Sequence, residues 1–274
     1  MTLLGDAHPG GESRLADLFV VSGEGTECYA DTNVISAPSI FGGQLFGLAV
    51  IAAAQSAEGA WLPVSLQAQM LDRGEAGSGI DIAVTNLRDG RSTLHRSLAV
   101  SQGGRPIAAV QVALEPLLQD ASPRPVSASD PDVTPPTASD PRSPFVARWG
   151  FDQVEVVHRD PEAIHPLWVR PRVGLPDDPA LHAAAIAFIS DMALVMVVHE
   201  DVGDARATPL TVDHAIWFHG VPRFDDWLYL DARLSTRHDE RGLVTATISD
   251  TRGNRVATVS QGVRVKRSRS TGPG

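Results

Sequence analysis

A carboxylate stands inside the most apolar stretch of this chain, "AIAFISDMALVMVV", residues 185–198. An isolated ionised carboxylate in such a setting is costly, so Asp191 must be paired, protonated or used. Its uses are those of a general base or a polar clamp. A second candidate is the strand-like run "LTVDHAIWFHG", residues 210–220. Regular alternation puts Thr211, Asp213, Ala215, Trp217 and His219 on one face and His214, Ile216 and Phe218 on the other. The two histidines then face opposite ways, so a metal site using both is not expected. Gln261, in "TVSQGVRV", is the third. The aligned position in the first half of the chain is Val112, and an amide in place of a valine asks for a buried partner or an outward face. "FGGQ", residues 41–44, puts two glycines at a helix start, where free N–H groups can stabilise an anion. The chain contains no GxSxG elbow and no Walker pattern, and Cys28 has no base beside it, which suits an inert core thiol.

These residues need elements to hold them. "GGQLFGLAVIAAAQSA" (42–57) and "PALHAAAIAFISDMALVMVV" (179–198) are helical and apolar all round, so each is expected to be buried on every side. Asp178 and Pro179 give the second a cap and a fitting first residue. Alternating strands follow each helix: 80–87, 92–101 and 106–115 after the first; 213–220, 226–235, 242–250 and 255–265 after the second. Short turns at Asp89-Gly90, Gly103-Gly104 and Arg252-Gly253-Asn254 favour antiparallel hairpins. The final hairpins align, "GRPIAAVQV" with "GNRVATVSQ". The expected architecture is therefore α+β, with two tandem units, each an antiparallel sheet wrapped round a buried central helix.

Between the halves, residues 116–144 hold eight of the 20 prolines. That composition cannot build a core and marks a linker. The expected division is an N-terminal unit (1–115), a Pro-rich linker (116–147) and a C-terminal unit (148–274). The 274 residues are 43% apolar, enough for such a core, and the net charge of -10 argues against generic nucleic-acid binding. One cysteine precludes an intrachain disulfide and suits a reducing compartment. The first residues lack a basic start followed by an apolar core, and the apolar run around Asp191 is short and interrupted for a bilayer. The expectation is a cytoplasmic protein without a membrane span.

Several segments resemble a known family. "FGGQLFGLAVIAAAQ" and "LRDGRSTLHRSLAVSQGGRPI" are similar to the N-terminal half of bacterial acyl-CoA thioesterase II. "PLWVRPRVGLPDDPALHAAAIAFISDMAL", "LTVDHAIWFHG" and "GNRVATVSQGVRVK" are similar to its C-terminal half. The resemblance implies a double hotdog that hydrolyses acyl-CoA to free acid and CoA without a metal or cofactor. By motif it implies Asp191, Thr211 and Gln261 as the set that binds and activates a water, with Gly43 as oxyanion support. It also implies a homo-oligomer associating through the hotdog sheets. One run departs from the family: "VSLQAQMLDRG" (64–74) stands where relatives carry a His- and aromatic-rich strand ending in Arg-Pro-Gly, so the acyl or CoA contacts are expected to differ. The alternative is a degenerate hotdog that binds acyl-CoA or serves as a scaffold. A hotdog hydratase would need an Asp–His pair at a helix start, which is not found.

Overall fold

The computed structural model describes residues 14–24, 26–35, 37–117, 134–137, 139–140, 151–158, 160, 163–203 and 207–266. Most of the expected linker lies outside them.

The first half contains strands β1 (Ser22–Glu24) and β2 (Glu27–Asp31), helix α1 (Gly42–Gln55), and strands β3 (Trp61–Met70), β4 (Gly79–Asp89), β5 (Leu94–Gln102) and β6 (Arg105–Pro116). The second contains β7 (Val154–Val157), β8 (Leu167–Pro171), helices α2 (Pro179–Ser190) and α3 (Leu194–Val202), β9 (Thr208–Phe218), β10 (Leu228–His238), β11 (Arg241–Ser249) and β12 (Arg255–Lys266). The short strands β1, β2, β7 and β8 carry too few alternating positions to stand out from loop sequence.

All twelve strands form one antiparallel sheet in the order β1-β2-β4-β5-β6-β3-β9-β12-β11-β10-β8-β7. The halves therefore meet strand to strand, with Gln67 of β3 opposite Ala215 of β9. Polar backbone groups that two separate sheets would leave on their edges are paired instead. The sheet curls around α1 and α2, whose apolar residues are buried nearly all round, as their sequence demands. The two helices lie antiparallel and very close. A Cβ on Gly43 would sit 2.3 Å from the Phe188 carbonyl oxygen, so only glycine permits this approach. It brings the start of α1 against the end of α2.

The second apolar run is not the single helix expected over 179–198. Asp178 caps its start by accepting from the Ala180 N–H, and α2 stops at Ser190. Asp191, Met192 and Ala193 form a turn, with Ala193 in the left-handed region at φ 62°. The chain then re-enters a helix as α3. By length and composition the 179–202 segment could cross a membrane, but here it is mostly buried inside the fold. Breaking the helix at Asp191 puts the carboxylate at a helix end, where its side chain can leave the apolar stripe.

Candidate active site

Asp191 is 6% exposed and follows the last residue of α2. Its Oδ2 accepts a hydrogen bond from the Gly43 N–H at 3.1 Å, across the two halves. The start of α1 thus presents its positive helix end to the carboxylate. The resemblance implies Gly43 as oxyanion support; here its N–H faces the Asp191 carboxylate. Among the described residues Oδ1 has no hydrogen-bond partner. Burial raises the Asp191 pKa to about 7, and the pull of Gln261, Gly43 and Thr211 only partly offsets it. A carboxylate poised there can take a proton from water near neutral pH.

Thr211 and Gln261 come from β9 and β12, neighbours in the sheet. The Gln261 Nε2 donates to Thr211 Oγ1 at 3.1 Å, and Gln261 is fully buried. The structure thus gathers Asp191, Thr211, Gln261 and Gly43 in one place. Thr211 gets there by an irregularity that period-two reading misses. The register passes from Gly262↔Asp213 to Val263↔Thr211, leaving Val212 as an extra residue. This bulge turns Thr211 away from the outward face of Asp213 and Trp217 and onto the inward side with His214. Asp213 holds the bulge: its carboxylate accepts from the Gly262 N–H at 3.1 Å. A Cβ on Gly262 would lie 2.7 Å from that carboxylate, so a larger residue there would displace the Asp213 side chain.

Two further polar residues join the set. His214 is buried, stacked on Phe46 with ring centroids 4.4 Å apart. Its Nδ1 lies 2.7 Å from Gln261 Oε1 and its Nε2 2.9 Å from Ser190 Oγ. Neither was singled out as a site residue. Their signal, a polar pair matched across α2 and β9, depends on sheet register and is not visible in linear sequence. His219 is exposed while His214 is buried, so the two face opposite ways as expected, and His219 pairs with Thr258. Cys28 is buried, and burial followed by the Glu27 charge raises its thiol pKa, in keeping with an inert thiol.

Asp191 and Thr211 open into a cleft of about 1190 Å³ between the halves. Phe41, Leu45, Met70, Ile107, Phe151 and Met196 give it apolar walls, and Arg73, Arg105, Arg264 and Lys266 stand among its lining residues. The departing run 64–74 supplies Met70, Leu71, Asp72, Arg73 and Gly74 to this lining. Arg105 pairs with Asp72 and also donates to the Arg73 carbonyl at 3.0 Å. Arg88 and Arg91 are not among the lining residues; they lie at the opposite end of the β4–β5 hairpin. An apolar slot with a buried base and a partly cationic lining suits an acyl chain carrying an anionic group.

Fold and site together define a double hotdog of the thioester-hydrolase class. Residues 120–265 match the model of the acyl-CoA thioesterase C-terminal domain, and residues 32–114 match that of the acyl-CoA thioesterase N-terminal domain. The chain belongs to the acyl-CoA thioesterase family. Acyl-coenzyme A thioesterase 8 of Homo sapiens is 27% identical over 244 residues, covering 77% of this chain and 75% of that protein. Among solved structures, acyl-CoA thioesterase II TesB2 from Mycobacterium marinum superposes with a TM-score of 0.73 at 24% identity, over 94% of this chain and 98% of that one. A hot dog fold protein from Alicyclobacillus acidocaldarius gives a TM-score of 0.76 at 22% identity, covering 92% of this chain and 97% of that one.

Proposed function

We propose that this thioester hydrolase cleaves fatty acyl-CoA to free acid and CoA, using a water activated by Asp191, Thr211 and Gln261. The observation that carries the reading is Asp191 itself: a buried carboxylate with one oxygen held by Gly43 and, among the described residues, no hydrogen-bond partner on the other. Oδ1 accepts a proton from water while the water oxygen bonds to the thioester carbonyl carbon. Thr211 and Gln261 supply the hydroxyl and amide that hold this water. As the tetrahedral intermediate collapses, the carbon–sulfur bond breaks and Asp191 returns the proton to the CoA thiolate. The apolar walls of the cleft take the acyl chain, and Arg73, Arg105, Arg264 and Lys266 favour the CoA phosphates. Copies of the chain associate through the outer face of the sheet, where Trp217 and Leu243 stand exposed; sedimentation showing only monomer would remove that part.

The test is thiol release from acyl-CoAs of increasing chain length, with Asp191→Asn as control. We expect release to peak at one chain length and to fall about 1000-fold in the variant, a loss typical of removing a general base together with its charge. Wild-type turnover by a folded Asp191→Asn protein would sink the assignment.

A further inference from the structure

The cleft lies where the sheet forks. The ladder between β3 and β9 ends at Gln69↔Asp213. Beyond that rung β3 stays with β6: Met70 pairs with Ala108, and the Leu71 and Asp72 N–H groups both donate to the Ile107 carbonyl. β9 stays instead with β12, down to Thr208↔Lys266. The two strand pairs part, and residues of both line the cleft between them.

The two faces of this fork differ in chemistry. On the inner side Leu45, Met70, Ile107 and Met196 accompany Asp191 and Thr211. On β12 Val263 and Val265 are buried, so the alternating Arg264 and Lys266 project from the outer face, about 7 Å apart along the strand. A CoA thioester is divided in the same way. Its acyl chain is apolar, and the far end of its thiol arm carries a diphosphate and a further ribose phosphate.

The lips of the fork are not electrostatically alike. On the β3 lip Asp72 pairs with Arg105, and Arg105 also donates to the Arg73 carbonyl. Together with Arg73 and Glu75, which line the cleft too, the formal charges of that lip cancel. On the β12 lip Arg264 meets the Glu240 carboxylate only at 3.8 Å, too long for a hydrogen bond. Among the described residues Lys266 has no ion pair. Exposed cations with no carboxylate bound to them attract a polyanion from a distance and give up no partner to receive it.

We propose that the phosphates of CoA are held at the β12 lip by Arg264 and Lys266, while the Asp72–Arg105 pair keeps the β3 lip neutral. The proposal rests on the acyl-CoA reading of the cleft and narrows it to one lip. It gives the departing run 64–74 a task, since Asp72 supplies the carboxylate that balances Arg105. The thiol arm then passes through the fork, and the acyl chain lies on the inner side beside Asp191.

The experiment measures binding of free CoA by calorimetry, a readout that needs no turnover. Arg73, Arg264 and Lys266 are all exposed, so their replacement spares the core. Arg264→Gln together with Lys266→Gln should weaken CoA binding at least tenfold at low salt, and by less at high salt, where screening already weakens the wild-type contact. Arg73→Gln should weaken it less than this pair does. In turnover assays the double variant should raise KM for the best acyl-CoA at least tenfold with kcat within threefold. For the same acyl group on N-acetylcysteamine, which has no phosphate, KM should rise less than a third as much. No CoA binding by the wild type, equal binding by wild type and double variant, a larger loss from Arg73→Gln, or equal KM rises for the two thioesters overturns the proposal. CoA binding that depends on Arg264 and Lys266, without thiol release from any acyl-CoA, would instead overturn the catalytic reading and leave the phosphate site standing.

Discussion

Burial of the Asp191 carboxylate costs stability at neutral pH. Its pKa is about 7 folded and near the ordinary carboxylate value of 3.8 unfolded, because burial penalises the charge. Between those values the folded protein holds the proton and the unfolded chain does not. Stability from this group is therefore full at low pH and is lost as pH rises toward 7 and beyond. Asp191→Asn escapes that loss. The shift corresponds to an upper bound of about 4 kcal/mol. We expect the variant to be more stable than wild type at pH 8 by a measurable part of this, and the gain to vanish near pH 4. Chemical denaturation at both pH values checks it, and a variant less stable than wild type at pH 8 would contradict it. Wild-type kcat/KM should fall below about pH 7, since protonated Asp191 cannot take a proton from water.

The bulge in β9 matters as much as the residues it positions. A regular strand would send Thr211 outward beside Asp213 and Trp217. Val212 is the extra residue that prevents this, and the Asp213 carboxylate on the Gly262 N–H holds it. Asp213→Ala should cost about 1 kcal/mol of stability, the usual net value of one hydrogen bond. It should also lower kcat roughly tenfold as Thr211 loses its direction, a small fraction of the effect of full removal of a catalytic group. Asp213→Asn keeps an acceptor at the same place and should recover most of both. If Ala and Asn variants behave alike, the carboxylate–amide contact does not set Thr211. The break between α2 and α3 works in the same way. A continuous helix would have left Asp191 on the stripe, and the turn at Met192–Ala193 takes it to the cleft.

The whole molecule has two similar halves, and the residues proposed to act lie mainly in the second. Gln261 pairs with His214 in the second half, and the matching pair in the first is Val112 with Leu66. The residue after α1 is Ser56, where α2 has Asp191. The Ser56 hydroxyl accepts from the buried Arg96 at 2.8 Å, and Arg96 is anchored to Asp89 at 2.7 Å. Arg96→Met should lower stability by about 2 kcal/mol through the lost polar contacts. It should leave kcat/KM within threefold, since the proposed site lies at the other end of the helix pair. A loss of activity as large as that of Asp191→Asn in a folded Arg96→Met protein would mean that the first-half site takes part.

The linear sequence determined the two buried helices, because a helix without a polar face has only one stable place. It determined most long strands, because alternation and Gly-containing turns carry their own signal. The odd carboxylate in the apolar run, the amide standing for a valine and the glycines at a helix start were visible for the same reason: each residue type contradicts its local pattern. Only the tertiary structure joined the two sheets into one through β3 and β9, since strand partners are chosen across distances that local pattern does not encode. It alone broke the second helix at Asp191, turned Thr211 inward at a bulge, and gave the Gly43 N–H to the carboxylate. It alone set His214 between Ser190 and Gln261, because a hydrogen-bond chain across a helix and two strands exists only once their register is fixed.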